Sequence, residues 1–215
     1  MAGRNFCMVL DCGCGHAATS IYLALNYRVN VVGITLSPEQ AIEAKRLVRL
    51  AKVEKRVEVK CMNIFEPNLA SEVFDGVVSI EAFSTMGEVH KLLETLSGLI
   101  QSGGRLVISD MFVRGKTKVK DAIDLYWKSD VFTLPELLSA AQTGSFDIVK
   151  VVDQTANKAP FWGLSAAHSR LRLADDKIAK KERSRLMASV NAQLNMKKAC
   201  IKRDVCYYDV VLEKH

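Results

Sequence analysis

A chain of 215 residues with 49% hydrophobic and 25% charged side chains has the balance of a folded domain, and its 12 Gly and 4 Pro exclude collagen-like or Pro-rich character. Thirty Lys and Arg against 24 Asp and Glu give a formal charge of +6, which favours anionic partners only where it is clustered. No apolar run reaches the roughly 18–20 residues that span a bilayer, and residues 6–10 are too short for the core of a signal peptide. The expectation is one cytoplasmic domain over residues 1–215.

In chain order, residues 6–10 form an apolar run that predicts a first strand, Gly13 and Gly15 break it, and 17–25 reads as a helix. Residues 29–34 predict a second strand. Ser37-Pro38-Glu39-Gln40 then reads as a helix start: Ser37 caps, Pro38 suits the first helical position, and Gln40 reaches back as a capping box. Strands follow at 57–62 and 74–80, a helix at 89–100, a break at Ser102-Gly103-Gly104, and a strand at 105–109. Later come a short helix at 134–142, a strand at 146–152, a long basic helical stretch at 165–194 and a closing strand at 206–212. Residues 113–133 and 153–163 lack clean periodicity. Their aromatics Tyr126, Trp127, Phe132, Phe161 and Trp162 are placed over the sheet's carboxyl edge, either as walls of a ligand pocket or as satellite core. Strands alternating with helices imply right-handed crossovers and a mostly parallel sheet covered on both faces, a doubly wound α/β fold.

The strongest local signal is Val9-Leu10-Asp11-Cys12-Gly13-Cys14-Gly15-His16-Ala17-Ala18, between the first strand and the first helix. Glycines there turn the chain tightly and bring a ligand near a helix N-terminus, whose free N–H groups favour negative charge. Gly13-x-Gly15-x-x-Ala18 matches a dinucleotide fingerprint, but the acidic residue wanted about 20 positions on is missing, since Gly33-Ile34-Thr35 stands there. Asp11 would repel a pyrophosphate and suits a cofactor with a positive amino group, as S-adenosylmethionine has.

Val9 to Gly15 resembles the first motif of class I S-adenosylmethionine-dependent methyltransferases, with Ala17 in place of the family's third glycine. Gly33-Ile34-Thr35-Leu36-Ser37-Pro38-Glu39-Gln40 resembles the second-strand motif of the cyclopropane-synthase, sterol and tocopherol methyltransferase branch. Cys61-Met62-Asn63-Ile64, Phe74-Asp75-Gly76-Val77-Val78-Ser79-Ile80-Glu81-Ala82 and Ile100 to Leu106 match later motifs in the same order. The resemblance implies a seven-stranded Rossmann-like sheet with an antiparallel last strand, and S-adenosyl-L-methionine as cofactor. It implies cofactor contacts from Asp11, Cys12, Gly13, Gly15, Thr35, Leu36, Gln40, Asn63, Ile64 and Ser79, with Thr35 and Gln40 serving the ribose in place of an acid and Asn63 the adenine. Gln40 as a capping residue alone is the structural alternative.

Methyl transfer rests on in-line positioning, and a base is needed only where the acceptor loses a proton. Glu81, just past the fourth strand, is the leading catalytic candidate; the alternatives are a hydrogen bond to the cofactor or a charge at a helix N-terminus. The branch often carries a Glu-His pair just after this position, where Ser84 and Thr85 stand here, so the imidazole is missing. His168 is the candidate on the acceptor side. His16 is expected to pack near the cofactor, His90 on a helix flank and His215 at a frayed end. Cys12-x-Cys14 with His16 looks ligand-rich, but no second Cys pair at zinc spacing follows, so no metal is expected and both thiols are read as turn fillers. The six cysteines are read as reduced.

The expected function is methylation of a small, partly apolar metabolite of specialised metabolism, quinone-like or isoprenoid-like by the branch resemblance, with segments 111–135 and 153–195 as an aromatic lid that excludes water and faces the sulfonium. A second reading is a degenerate methyltransferase fold acting as a partner subunit. A third is an RNA methyltransferase using the basic residues between Arg170 and Arg203 on phosphates. Against it, the fourth strand ends without an Asp/Asn-Pro-Pro-aromatic motif, and a solvated helix face accounts for the charge run. The first strand begins almost at the N-terminus, where relatives carry a helical cap, so closure by a homodimer is expected.

Overall fold

The β-branched runs and the amphipathic stretches alternate as β1 (Cys7–Cys12), α1 (Ala18–Asn26), β2 (Val29–Thr35), α2 (Pro38–Leu50), β3 (Val57–Cys61), β4 (Phe74–Ile80), α3 (Val89–Leu99) and β5 (Ile100–Val113). They continue as α4 (Lys118–Trp127), α5 (Leu134–Thr143), β6 (Phe146–Asp153), α6 (Thr155–Leu173), α7 (Lys180–Lys202) and β7 (Val205–Lys214). The structure, a computed structural model, describes residues 7–115, 118–127, 130–175 and 177–215. Phe6, expected in the first strand, lies outside them.

One sheet orders the strands β3-β2-β1-β4-β5-β7-β6, parallel from β3 to β5, with β7 antiparallel to both β5 and β6. The doubly wound architecture and the antiparallel last strand expected from the sequence are both present. On one face, α3 and α5 bury Leu92, Leu93, Leu96 and Leu137 against Leu10, Ile34, Phe74, Leu106 and Ile108. On the other, α1 and α2 bury Ala24, Ala44 and Val48 against Val31, Val57 and Val59. Burying each of the Leu, Ile, Val and Phe side chains contributes about 1.5–3 kcal/mol. Strand order reverses between β1 and β4, and a crevice opens there at the carboxyl edge, where open α/β sheets bind ligands.

Several boundaries differ from the sequence expectation. The stretch 165–194 is not one helix. Thr155 to Leu173 forms α6 and the chain turns before α7. Arg183 holds that turn by donating to the Leu173 and Asp175 carbonyls at 2.8 and 3.0 Å, satisfying groups that a helix end leaves free. Segments 113–133 and 153–163 are correspondingly helical over α4 and the first half of α6, where Pro160 forfeits one backbone bond. Strand β5 begins at Ile100, absorbing Ser102-Gly103-Gly104 as an irregularity in its pairing with β4. Part of the basic run is spent on structure, Arg172 pairing with Glu182 and Arg203 with Asp153. Because β5 and β6 end and β7 begins at the carboxyl edge, α4, α6 and α7 all attach there.

Candidate active site

The glycine turn is built from the sheet outward. The amides of Gly13 and Cys14 both donate to the Ile34 carbonyl, at 3.0 and 2.8 Å, so the turn folds back on β2. Gly13 has φ +81, and a Cβ there would meet Ala82 Cβ at 2.4 Å and Met86 Cε at 2.9 Å, so only glycine lets the turn after β1 pass the turn after β4. Gly15 has φ +52, and a Cβ on it would meet nothing within 4 Å, for it faces an open cavity. Ala17 enters α1 in the left-handed region without a side-chain cap, and the Ser20 amide of its first turn faces the Asp11 carboxyl.

That cavity measures about 820 Å³, within the range of small-molecule sites. Asp11, Gly13 and Gly15 line it from the first turn, Thr35, Leu36 and Gln40 from the second, Asn63 and Ile64 from the third, and Glu81 from the fourth. Nine of the twelve sequence candidates thus meet in one place. Cys12 and Ser79 do not line it. They lie fully buried beneath, where Ser79 Oγ donates to the Cys12 carbonyl at 2.9 Å and ties β1 to β4. His168 is not brought there either, because it lies on the exposed side of α6, opposite the buried Ala166 and Ser169.

Asp11 is 2% exposed, and its Oδ2 accepts from Ser20 Oγ at 2.5 Å. Burial outweighs that hydrogen bond and pushes the carboxyl up to about 6. Thr35 donates to Gln40 Oε1 at 2.8 Å, while the Ser37 amide donates to Thr35 Oγ1 at 3.3 Å. The capping box expected at Ser37 is therefore half made. Ser37 Oγ accepts from the Gln40 amide, but the Gln40 side chain turns to Thr35 and the cavity. Asn63 Oδ1 accepts from the Phe65 amide at 3.1 Å. The thiols of Cys12 and Cys14 are held neutral by burial, Cys14 pushed up to about 12. They pack as turn fillers: a Cβ on Gly33 would meet Cys14 Sγ at 3.0 Å.

Glu81 has φ +52, a strained conformation for a non-glycine residue and one that clusters at functional sites. Its amide donates to the Ser109 carbonyl at 2.8 Å, and its carboxylate pairs with Lys158 of α6 at 3.1 Å. The buried carboxylate of Asp110 accepts from the Ser84 amide at 2.9 Å and the Ser84 hydroxyl at 3.0 Å, fixing the turn that follows Glu81. Burial holds Asp110 above the usual carboxylate range. Phe65 and Met86 line the cavity without a signal in the sequence, and Lys158 and Asp110, which hold Glu81 and the turn after it, were not legible; an Asp after a β-branched run was the one available sign of Asp110. Of the aromatics, Phe132 is core, packed edge-on against Phe83 and Phe112, and Trp162 Nε1 donates to Tyr207 Oη at 3.2 Å. Phe161 is exposed. The side chains of Thr85 and Trp127 lie outside what the structure describes.

The residues present fit S-adenosylmethionine. A buried carboxylate, uncapped helix amides and an open face at Gly15 surround one end of the cavity, and amide and hydroxyl groups with Ile64 and Phe65 surround the other. Among the described residues no three His, Cys, Asp or Glu side chains converge as a metal site, and no helix is long and apolar enough to cross a membrane.

Comparison with known proteins agrees with this geometry. Tocopherol O-methyltransferase of Arabidopsis thaliana is 28% identical over 167 residues, covering 72% of this chain and 48% of that protein. An O-methyltransferase of Pyrenophora dematioidea is 30% identical over 164 residues, covering 73% and 60%. The chain spans about half the length of the curated relatives it matches. The solved geranyl diphosphate C-methyltransferase of Streptomyces coelicolor superposes with a TM-score of 0.81 over 97% of this chain and 71% of that one, at 17% identity, and shares the fold. The model of mycolic acid cyclopropane synthetase matches residues 5–197. The chain belongs to the mycolic acid cyclopropane synthetase family.

Proposed function

We propose that the chain is an S-adenosylmethionine-dependent methyltransferase that methylates a small, partly apolar metabolite in the cytoplasm. The observation that carries this reading is the buried Asp11 carboxylate beside the uncapped N-terminus of α1, in the same cavity as the Thr35–Gln40 pair. Asp11 would hold the α-ammonium of the cofactor, the amides at the start of α1 its carboxylate, Thr35 and Gln40 the ribose, and Asn63 with Ile64 and Phe65 the adenine. When bound, the cofactor supplies an electrophilic methyl group on a sulfonium. Glu81, at the cavity's β4 side and held by Lys158, accepts a proton from the acceptor as it becomes nucleophilic. Helices α4, α6 and α7 act as the acceptor-side lid.

The relatives named as tocopherol and geranyl diphosphate methyltransferases support a quinol-like or isoprenoid acceptor from specialised metabolism. Methyl transfer from labelled cofactor to a panel of quinols, phenols and isoprenoid diphosphates tests the reading, with Glu81→Gln as control. Turnover lost in the variant supports it; tight cofactor binding with no acceptor turned over favours the partner-subunit reading. A homodimer is part of the proposal. Phe161, Leu164 and Leu171 form an exposed apolar patch on α6, the surface on which two copies are proposed to meet. Light scattering of the native chain and of Leu164→Glu is expected to give a dimer and a monomer; a native monomer overturns this part.

A further inference from the structure

A second cavity, of about 490 Å³, lies between α4 and α7 and shares no lining residue with the cofactor cavity. It exists because α7 packs along α6, and because small side chains face the space: Ala122 from α4, with Ala188 and Ala192 from α7. Buried Ile123, Met196 and Ala199 form its apolar floor. Three lysines line it, Lys118 from the start of α4 and Lys198 and Lys202 from the last turns of α7, against Asp204 as the one lining carboxylate among the described residues. Three lysines against one carboxylate give the lining a net positive charge, which suits a bound anion whose apolar body fills the hollow.

We propose that this cavity is a second binding site, for a free apolar carboxylate whose body lies between α4 and α7 and whose head group meets Lys118, Lys198 and Lys202. The site shares no lining residue with the cofactor cavity, although α4 and α7, which form it, also belong to the proposed acceptor-side lid.

The test is calorimetric titration of the full chain with dodecanoate, dodecan-1-ol and dodecylamine, each below its aggregation concentration. Dodecanoate is expected to bind one-to-one and at least tenfold tighter than dodecylamine. Lys198→Gln with Lys202→Gln is expected to weaken dodecanoate at least fivefold while leaving dodecan-1-ol unchanged, and Ala192→Trp to fill the hollow and weaken both. Ala188→Leu serves the same purpose if thermal melting shows that the Trp variant does not fold. Equal affinity for the acid and the amine, no binding of dodecanoate, binding unaffected by filling the hollow, or displacement of dodecanoate by S-adenosylhomocysteine each overturns the proposal. A failed cofactor titration leaves this site standing, so the two claims fail separately.

Discussion

Replacing Asp11 by Asn should separate stability from ligand binding. The carboxylate is buried, and desolvation outweighs the Ser20 hydrogen bond, raising its pKa from 3.8 to about 6. A carboxyl whose folded pKa lies above its unfolded one favours folding only while it is protonated, so its contribution worsens as pH rises from about 4 through about 6. At pH 7.5 the ionised group costs the ligand-free protein at most about 3 kcal/mol. Asn keeps an oxygen for Ser20 to donate to and carries no charge. A domain of this size gains roughly 2–4 °C of Tm per kcal/mol, so Asp11→Asn is expected to melt several degrees higher at pH 7.5, with the gain shrinking toward pH 4. The same variant is expected to lose S-adenosylhomocysteine affinity by about 10–100-fold, the worth of a charge-assisted hydrogen bond of roughly 1.5–3 kcal/mol. Thermal melting with and without S-adenosylhomocysteine at the two pH values reads both effects. A variant that melts lower at every pH and keeps its full ligand-induced shift would refute the reasoning.

Four further outcomes follow from the same geometry. With Asp11 titrating at about 6 and only its ionised form holding the ammonium, apparent cofactor affinity should fall about tenfold from pH 7.5 to pH 5 in the native chain, a dependence absent in Asp11→Asn. Glu81→Gln should lower kcat by about 100-fold or more in the transfer assay while leaving S-adenosylhomocysteine affinity within about threefold; an equal loss of both would reassign Glu81 to cofactor binding. Gly13→Ala should destabilise the protein by about 3 kcal/mol in denaturant titration, since its Cβ would strike Ala82 in a left-handed backbone. Gly15→Ala, which adds a methyl to open space, should cost about 1 kcal/mol of stability but still weaken cofactor binding by crowding the cavity.

What the sequence disclosed and what it hid have separate physical causes. The turn from Asp11 to Gly15, the Thr35–Gln40 pair and Asn63 were legible because each is carried by a few consecutive residues at a strand end, where the topology leaves little choice of direction. Lys158 was hidden because its partner Glu81 is 77 positions away and reaches it only through the path of α6. His168 stood in a plausible stretch, but helical phase decides its direction, and in α6 that phase turns Ala166 and Ser169 inward and His168 outward. The break itself depends on Arg183 capturing two carbonyls across the turn, a long-range choice that no local pattern announces. Asp110 and Ser84 illustrate the same limit, since their contact joins the end of β5 to the turn after β4.

The central claim is that the cavity at the glycine turn holds S-adenosylmethionine, and calorimetric titration with S-adenosylmethionine, S-adenosylhomocysteine and NAD in parallel tests it most directly. Micromolar, one-to-one binding of the first two with no heat from NAD is the predicted result. Binding of NAD, or of none of the three, would contradict the claim and leave the glycine turn a purely structural device.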